Sequence, residues 1–362
     1  MKKMLLTAAM VSVALTSCVT DESFVDVAKK DGEIKFVAAN YAAQSRGGHG
    51  EIDLANTGFT VYAWEDNQNY ALMNGVQMAY TNNAWTPTDG KKYYWPNQVA
   101  LDFTAVAPAT NNFSTVTRSD AGVTTIKFDF SSTANPTNVN LMYADYVNQS
   151  YDYDAASPNA NVALLFRHVL AKLKVVLTQK DPAQNEDGVL SYEVKVKSLK
   201  ISGIANKGSL TVDDAYVTDA KGDNANEVWS DASGSAEWSI YTGEYSLQTN
   251  TVSAGVLSKT ATNLVSTDLT GHENYYVMPQ TVSGQTLTVE YDVVTTFTSG
   301  SVATRPYEKT INLSAISAVT NWYTNKYITY TINISPADLM PITFSAKEEN
   351  WCEDVNGSQD VK

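Results

Sequence analysis

Cysteine, histidine and arginine are scarce in this chain of 362 residues. The two cysteines, Cys18 and Cys352, cannot build the multi-disulfide framework that holds many small secreted domains together. The three histidines, His49, His168 and His272, are scattered along the chain. The sequence also has no phosphate loop, no His-Glu-x-x-His motif and no Gly-x-Ser-x-Gly elbow. We therefore expect no catalytic residue, no metal site and no cofactor, and we predict that the protein is not an enzyme.

The sequence also lacks long helical patterns and an excess of basic over acidic residues. The net charge of −14 argues against a nucleic-acid partner and against binding to anionic lipid, and suits a particle in the extracellular medium. No long amphipathic helix is indicated, whereas alternating apolar strands recur and tyrosine is abundant, at 21 residues. The sequence predicts an all-β protein with two β-sandwich domains in tandem.

The strongest apolar run, residues 162–177, is compatible with two structures. Its 16 residues would suit a helix. Two strand segments with a kink near His168 fit better, because Leu173, Val175 and Leu177 alternate with lysines. A polar segment at 178–188 follows and indicates a domain boundary. The predicted organisation is a signal peptide (1–17), an N-terminal prosegment (18–46), an N-terminal sandwich (47–182), a C-terminal sandwich (183–338) and a terminal strand with its tail (339–362).

The N-terminus reads as an export signal. Lys2 and Lys3 precede an apolar stretch at 4–15, which is shorter than the roughly 20 residues that span a bilayer. The order Leu15-Thr16-Ser17-Cys18 resembles the lipobox of bacterial lipoproteins, in which the cysteine is lipidated. An ordinary signal peptide with a chance cysteine is the alternative. We expect Cys18 to carry a lipid anchor.

A short strand motif occurs near both ends of the sequence. Ile34, Phe36 and Ala38 form an Ile-x-Phe-x-Ala pattern, and Ile342, Phe344 and Ala346 repeat it. Strand register depends on such a pattern, so both segments can occupy the same position in a sheet. Coincidence is the alternative, since isoleucine and phenylalanine are common in strands.

Arg46 gives the repeat a possible role. It is one of four arginines and precedes Gly47 in a glycine-rich segment that favours an accessible loop. A cut between Arg46 and Gly47 would remove the lipid anchor and the first copy of the motif together. The vacated position would expose unpaired backbone and an apolar slot, which the second copy of another subunit could fill. The alternative is that Arg46 is an ordinary solvated loop residue.

The sequence resembles the fimbrillins, the subunits of type V pili of Bacteroidia. The resemblance covers nearly the whole chain and depends on the order of several weak motifs. These are the lipobox at Cys18, Arg46, Tyr93-Tyr94-Trp95-Pro96, Ala107-Pro108, Leu141-Met142-Tyr143-Ala144, Phe166-Arg167-His168-Val169-Leu170, Met278-Pro279-Gln280, Tyr327 to Ile334, and Ile342-Thr343-Phe344 leading to Trp351.

The resemblance implies a fold, partners and a mechanism. Family subunits have two transthyretin-like sandwiches, and their lipoprotein precursors are cut by an Arg-directed protease. The C-terminal donor strand of one subunit then enters the groove of its neighbour, so the expected partners are other pilin subunits in surface fimbriae. Gly47 stands where the family usually has alanine after the cleaved arginine.

Tryptophans and aspartates elsewhere in the sequence suggest alternative functions. Trp64, Trp85, Trp229 and Trp238 could stack on sugars in a glycan-binding surface lipoprotein that does not polymerise. A calcium loop around Asp145, Asp152 and Asp154 fits no EF-hand spacing and reads better as a solvated turn. His168 is expected to be a hydrogen-bonded core residue, and Cys352 a thiol without a role.

Overall fold

The structure is a computed structural model of the chain. It describes residues 32–40, 54–66, 68–110, 113–131, 140–154, 160–181, 186–212, 228–253, 256–265, 275–336 and 343–350. Within these residues no helix is both long enough and apolar enough to cross a membrane.

Nearly all regular structure in the described residues is β-strand. The first half of the chain holds β1 (Lys35–Asn40), β2 (Phe59–Glu65), β3 (Ala71–Thr81), β4 (Ala84–Pro87), β5 (Leu101–Ala107), β6 (Ser114–Arg118), β7 (Thr124–Asp129), β8 (Met142–Gln149), β9 (Asn161–His168) and β10 (Ala171–Gln179). One short helix, α1 (Leu54–Thr57), precedes β2.

The second half continues in the same way. Its strands are β11 (Val189–Ile204), β12 (Lys207–Val212), β13 (Val228–Ser233), β14 (Ala236–Ser246), β15 (Gln248–Ser253), β16 (Val256–Ala261), β17 (Leu264–Val265), β18 (Tyr275–Val277), β19 (Gln280–Thr281), β20 (Thr286–Phe297), β21 (Val302–Asn312), β22 (Asn321–Trp322), β23 (Lys326–Ile334) and β24 (Thr343–Asn350). A 3₁₀ turn at Leu313–Ala315 follows β21. The all-β prediction is confirmed.

The N-terminal body is built on a seven-stranded sheet. Its strand order is β1-β9-β8-β5-β2-β3-β4, so β1 is an edge strand. β1 runs parallel to β9, whereas β2, β5 and β8 pair antiparallel. Alternating apolar residues from these strands form a core that includes Phe59, Phe103 and Phe166.

A second core lies between two sheets of the C-terminal body. One sheet has the order β17-β10-β23-β24, with β18 also paired to β10. The other has the order β14-β11-β20-β21. Their inner faces meet in a large cluster that includes Val194, Val289, Ile328 and Ile332. Two sheets that cover one apolar core are the arrangement of a β-sandwich.

A fourth sheet brings together distant parts of the sequence. Its order is β13-β12-β7-β6, and β7 pairs with β12 from Asp129↔Lys207 to Thr124↔Val212. Phe128, Leu141, Leu170 and Met278 belong to the third apolar cluster, which lies beside this sheet.

The apolar run at 162–177 is divided as the lysine alternation predicts. β9 ends at His168 and β10 begins at Ala171, and the two strands belong to different sheets. The domain limits remain a prediction, but two sheets contain strands from both sides of residue 182. β10 precedes that residue and pairs with β23, while β12 follows it and pairs with β7.

Candidate functional site

The candidate site is the position of β1 at the edge of the seven-stranded sheet. Its backbone is paired with β9 in parallel register, with Phe36 opposite Val162 and Ala38 opposite Leu164. The Ile34 N–H donates to the Tyr93 carbonyl oxygen at 2.8 Å. The strand is therefore fixed by hydrogen bonds to two separate segments of the N-terminal body.

One face of β1 is buried in the core. Ile34 and Phe36 are each 7% exposed, and Ala38 is half-buried against the same cluster. The Phe36 ring meets Phe59 edge-on at a centroid distance of 6.1 Å and Phe103 at 5.9 Å. Burying each large side chain contributes about 1.5–3 kcal/mol. The alternating pattern of the sequence thus predicts the inward face of this strand.

The residues just before β1 are also held closely. The Trp95 N–H donates to the Gly32 carbonyl oxygen at 2.9 Å. The Tyr153 hydroxyl donates to the Trp95 carbonyl oxygen at 2.5 Å and covers Gly32. A Cβ atom at Gly32 would lie 2.6 Å from that hydroxyl oxygen, so glycine is required for this approach. The exposed Glu33–Lys92 ion pair, at 2.8 Å, adds little.

Without β1, this edge would present an apolar groove. Val162, Leu164 and Phe166 alternate along the inward face of β9, and Phe59 and Phe103 form the floor under Phe36. The β9 backbone groups that now pair with β1 would also lose their partners. An apolar slot beside an open strand edge favours the capture of another strand.

The second copy of the motif lies at a different edge. β24 pairs antiparallel with β23, with Phe344 opposite Ile332 and Ala346 opposite Tyr330. Phe344 is 37% exposed, whereas Ala346 is half-buried against the C-terminal core. β24 is the last strand of its sheet, and its described side chains, from Phe344 to Glu348, are exposed or half-buried.

Several predicted site residues lie outside the described residues. They are the lipidation residue Cys18, the cleavage residues Arg46 and Gly47, and Ile342 at the start of the donor segment. Cys352 also lies outside them. The structure therefore describes Ile34, Phe36, Ala38, Phe344 and Ala346 among the predicted site residues.

The tryptophans proposed for glycan stacking divide into two groups. Trp64 and Trp238 are buried, and the Arg118 guanidinium carbon lies 5.3 Å from the Trp64 ring centroid. Trp85 is half-buried between Phe59 and Tyr80. Trp229 is also half-buried and lines a cleft, so it is the candidate that keeps access to a ligand.

His168 is a hydrogen-bonded core residue, as the sequence predicts. Its Nδ1 atom lies 2.9 Å from Asn140 Oδ1 in a buried setting. Burial, with a smaller contribution from the Lys172 charge, lowers the pKa of His168 to about 3. Among the described residues, no three His, Cys, Asp or Glu side chains are placed to hold a metal ion.

The sequence does not predict a buried ion pair in the N-terminal body. Arg118 on β6 pairs with Asp102 on β5, and both side chains are almost fully buried. The Arg118 Nε–H also donates to the Gln68 carbonyl oxygen at 2.9 Å, and the Asn148 N–H donates to Asp102 at 2.7 Å. The pair joins the fourth sheet, which contains β6, to the sheet that carries β1. Its only sequence signal is an arginine within an alternating strand.

A family model described as fimbrillin-like matches residues 53–351 of this chain. The chain belongs to the fimbrillin-like family. No curated protein matches it significantly.

Two solved structures are similar to this chain. A fimbrial protein from Bacteroides vulgatus is 20% identical, with a TM-score of 0.54, and the alignment covers 88% of this chain and 99% of that one. The fimbrial anchor protein Mfa2 from Porphyromonas gingivalis is also similar, at 12% identity and a TM-score of 0.31, with 88% of this chain and 98% of that one covered. The first similarity shows that this fimbrillin-like chain shares the fold. Family membership supports a role as a cell-surface fimbrial or adhesion subunit.

Proposed function

We propose that the protein is a non-enzymatic structural subunit of type V fimbriae, assembled by protease-triggered donor-strand exchange. The proposal is supported by one observation: two segments with the same apolar pattern differ in burial. Ile34 and Phe36 of the first copy are buried in the N-terminal core, whereas Phe344 of the second copy is 37% exposed at the edge of another sheet.

The first step is removal of β1. The precursor is anchored in the outer membrane by lipid on Cys18, and an Arg-directed protease cuts between Arg46 and Gly47. β1 lies between those two points of the chain and is an edge strand, so it can leave without breaking a strand order inside the sheet. Its loss uncovers the apolar groove along β9 and its unpaired backbone.

The second step is entry of a donor strand from another copy of the chain. In the register set by the shared pattern, Ile342 takes the position of Ile34, Phe344 that of Phe36, and Ala346 that of Ala38. In its own sheet Phe344 is 37% exposed and Ala346 is half-buried. Entering the groove buries Phe344 between Phe59 and Phe103, which favours exchange by the hydrophobic effect.

The outward face of the donor suits the same position. Lys35 and Val37 are exposed on β1, and the matching donor residues are Thr343 and Ser345. The polar side chains of the donor would meet solvent at those positions. The backbone of the donor would replace the hydrogen bonds that β1 makes with β9.

The proposal is tested by treating purified precursor with an Arg-specific protease and separating the products on a gel without boiling. We expect a ladder of multimers from the natural sequence. Arg46→Lys keeps the positive charge but is not a substrate of such a protease, so this variant is expected to stay monomeric and uncut. A discrete cut monomer from the natural sequence would instead support a glycan-binding lipoprotein that does not polymerise.

A further inference from the structure

A second concave site lies in the C-terminal half, away from β1. It is a cleft of about 470 Å³ between edge strand β13 and the short ladder of β19 and β22. Its volume falls within the range of small-molecule sites. The argument concerns four of its lining residues: Trp229, Thr281, Asn321 and Tyr323.

The aromatic walls of the cleft are fixed in place. The Trp229 Nε1–H donates to Thr324 Oγ1 at 3.0 Å, and its ring packs on Phe128 at a centroid distance of 5.4 Å. Trp322, below, is buried and donates its Nε1–H to the Tyr330 hydroxyl at 2.8 Å. A ligand would therefore meet a preorganised surface and would not have to order it.

Tyr323 presents its ring to the open side of the cleft. Its side chain is 52% exposed, and the Asn321 Nδ2–H donates to its hydroxyl at 3.1 Å. Exposed polar groups lie close by, because Thr281 pairs with Asn321 across the β19–β22 ladder. Within the described residues, no hydrogen bond occupies the Asn321 amide oxygen or the Thr281 hydroxyl. An aromatic face beside hydroxyl and amide groups is amphipathic over a short distance.

The charge of the lining is unlike that of the whole chain. The described lining residues include Lys326 but no aspartate or glutamate, although the net charge of the chain is −14. A neutral, hydroxyl-rich ligand would therefore meet no carboxylate at this surface. A phosphorylated or nucleic-acid ligand would still approach a strongly acidic protein.

We propose that this cleft binds a saccharide ring. The C–H face of a pyranose would stack on Tyr323 beside Trp229, while its hydroxyls would hydrogen-bond with Asn321 and Thr281. The described lining of the cleft contains no residue of β1 or β24, although its Lys326 pairs with Asn350 of β24. The inference goes beyond the fimbrial role, in which repeated subunits would present many copies of a weak site and gain avidity.

The test uses the full chain carrying Cys18→Ala and an array of immobilised hexoses, N-acetylhexosamines and their disaccharides. Saccharides that bind are then titrated in solution by NMR saturation transfer. Tyr323→Ala is expected to weaken binding about tenfold or more, a loss of about 1.4 kcal/mol. Tyr323→Phe keeps the stacking face and is expected to stay within about threefold of the natural protein.

Tyr70→Ala is the matched control, because Tyr70 is a similarly exposed tyrosine, at 49%, outside the cleft. It should leave binding unchanged. Absence of binding across the array, or equal losses in Tyr323→Ala and Tyr70→Ala, would overturn the proposal. The Tyr323 variants should still form the protease-dependent ladder, so failure of the sugar site is distinguishable from failure of strand exchange.

Discussion

Phe36 and Phe344 are the phenylalanines of the two Ile-x-Phe-x-Ala motifs, but they differ in burial. Phe36 is 7% exposed between Phe59 and Phe103, whereas Phe344 is 37% exposed opposite Ile332. The groove at β1 is therefore the better environment for a phenylalanine at this position. In the proposed strand exchange, this difference favours movement of the donor from the edge at β23 to the groove at β9.

The first prediction concerns the stability of the precursor. Phe36→Ala should lower the free energy of unfolding of the uncut chain by about 3–5 kcal/mol, because it removes a buried aromatic ring. Urea denaturation measures the change. Val37→Ala, on the exposed face of the same strand, should cost far less.

After cleavage the natural protein and the Phe36→Ala variant should be equally stable. Once β1 has left, neither residue 36 nor residue 37 contributes to the core, so the cut natural protein and the cut Phe36→Ala protein should unfold at the same urea concentration. A persistent difference between them would show that β1 stays bound after the cut.

Much of the N-terminal site can be predicted from the sequence because its signal is local. Alternation identifies Ile34 and Phe36 as the inward face, and the lysine alternation around Leu173 separates β9 from β10. Both depend on the two-residue period of a strand.

Partners of distant strands are not predictable in the same way. The pairing of β7 with β12 and of β10 with β23 joins segments far apart in the chain, and alternation says which face is buried but not which strand lies beside it. The Arg118–Asp102 pair spans 16 positions and depends on two sheets meeting. The cleft at Tyr323 likewise appears only when β13, β19 and β22 are assembled.

The second prediction concerns the donor strand. Replacing both Ile342 and Phe344 with aspartate should abolish the multimer ladder, because two carboxylates would enter an apolar slot without partners. The cleaved monomer should remain folded by circular dichroism, since β24 is an edge strand and its described side chains are exposed or half-buried.

The control for this variant lies on the other face of the donor. Thr343→Asp with Ser345→Asp adds the same charge at positions that match exposed Lys35 and Val37, so the ladder should persist. Loss of the ladder in both double variants would indicate that charge alone prevents assembly. Unfolding of the Ile342 and Phe344 double variant would make β24 an essential strand of its own domain.

The third prediction concerns the anchor. Cys18→Ala should abolish labelling of the precursor by radioactive palmitate, because lipid attachment requires the thiol. Cys352→Ser, the variant at the other cysteine, should be labelled as strongly as the natural protein. Label retained in Cys18→Ala would exclude Cys18 as the lipidation residue.

The fourth prediction concerns pH and His168. Its pKa of about 3 in the folded state lies below the ordinary value of 6.5, so the unfolded chain binds the additional proton between these values. Stability is therefore lost as the pH falls through this window. Between pH 7 and pH 5, His168 should account for a loss of about 2 kcal/mol.

The measurement is urea denaturation of the natural protein and of His168→Gln at both pH values. Glutamine can keep a hydrogen bond to Asn140 but does not titrate. The natural protein should lose about 2 kcal/mol more than the variant on acidification. Equal losses would mean that His168 is already protonated in the folded protein at pH 5.

The most direct test of strand exchange is a covalent link between donor and groove. Asn161 lies opposite Lys35 in the β1–β9 register, and Thr343 takes the position of Lys35 when the donor enters. Asn161→Cys and Thr343→Cys are introduced together with Cys18→Ala and Cys352→Ser, and the protein is oxidised before and after Arg-specific cleavage. The account predicts disulfide-linked multimers on a non-reducing gel only after cleavage, whereas monomer-sized bands throughout would contradict it.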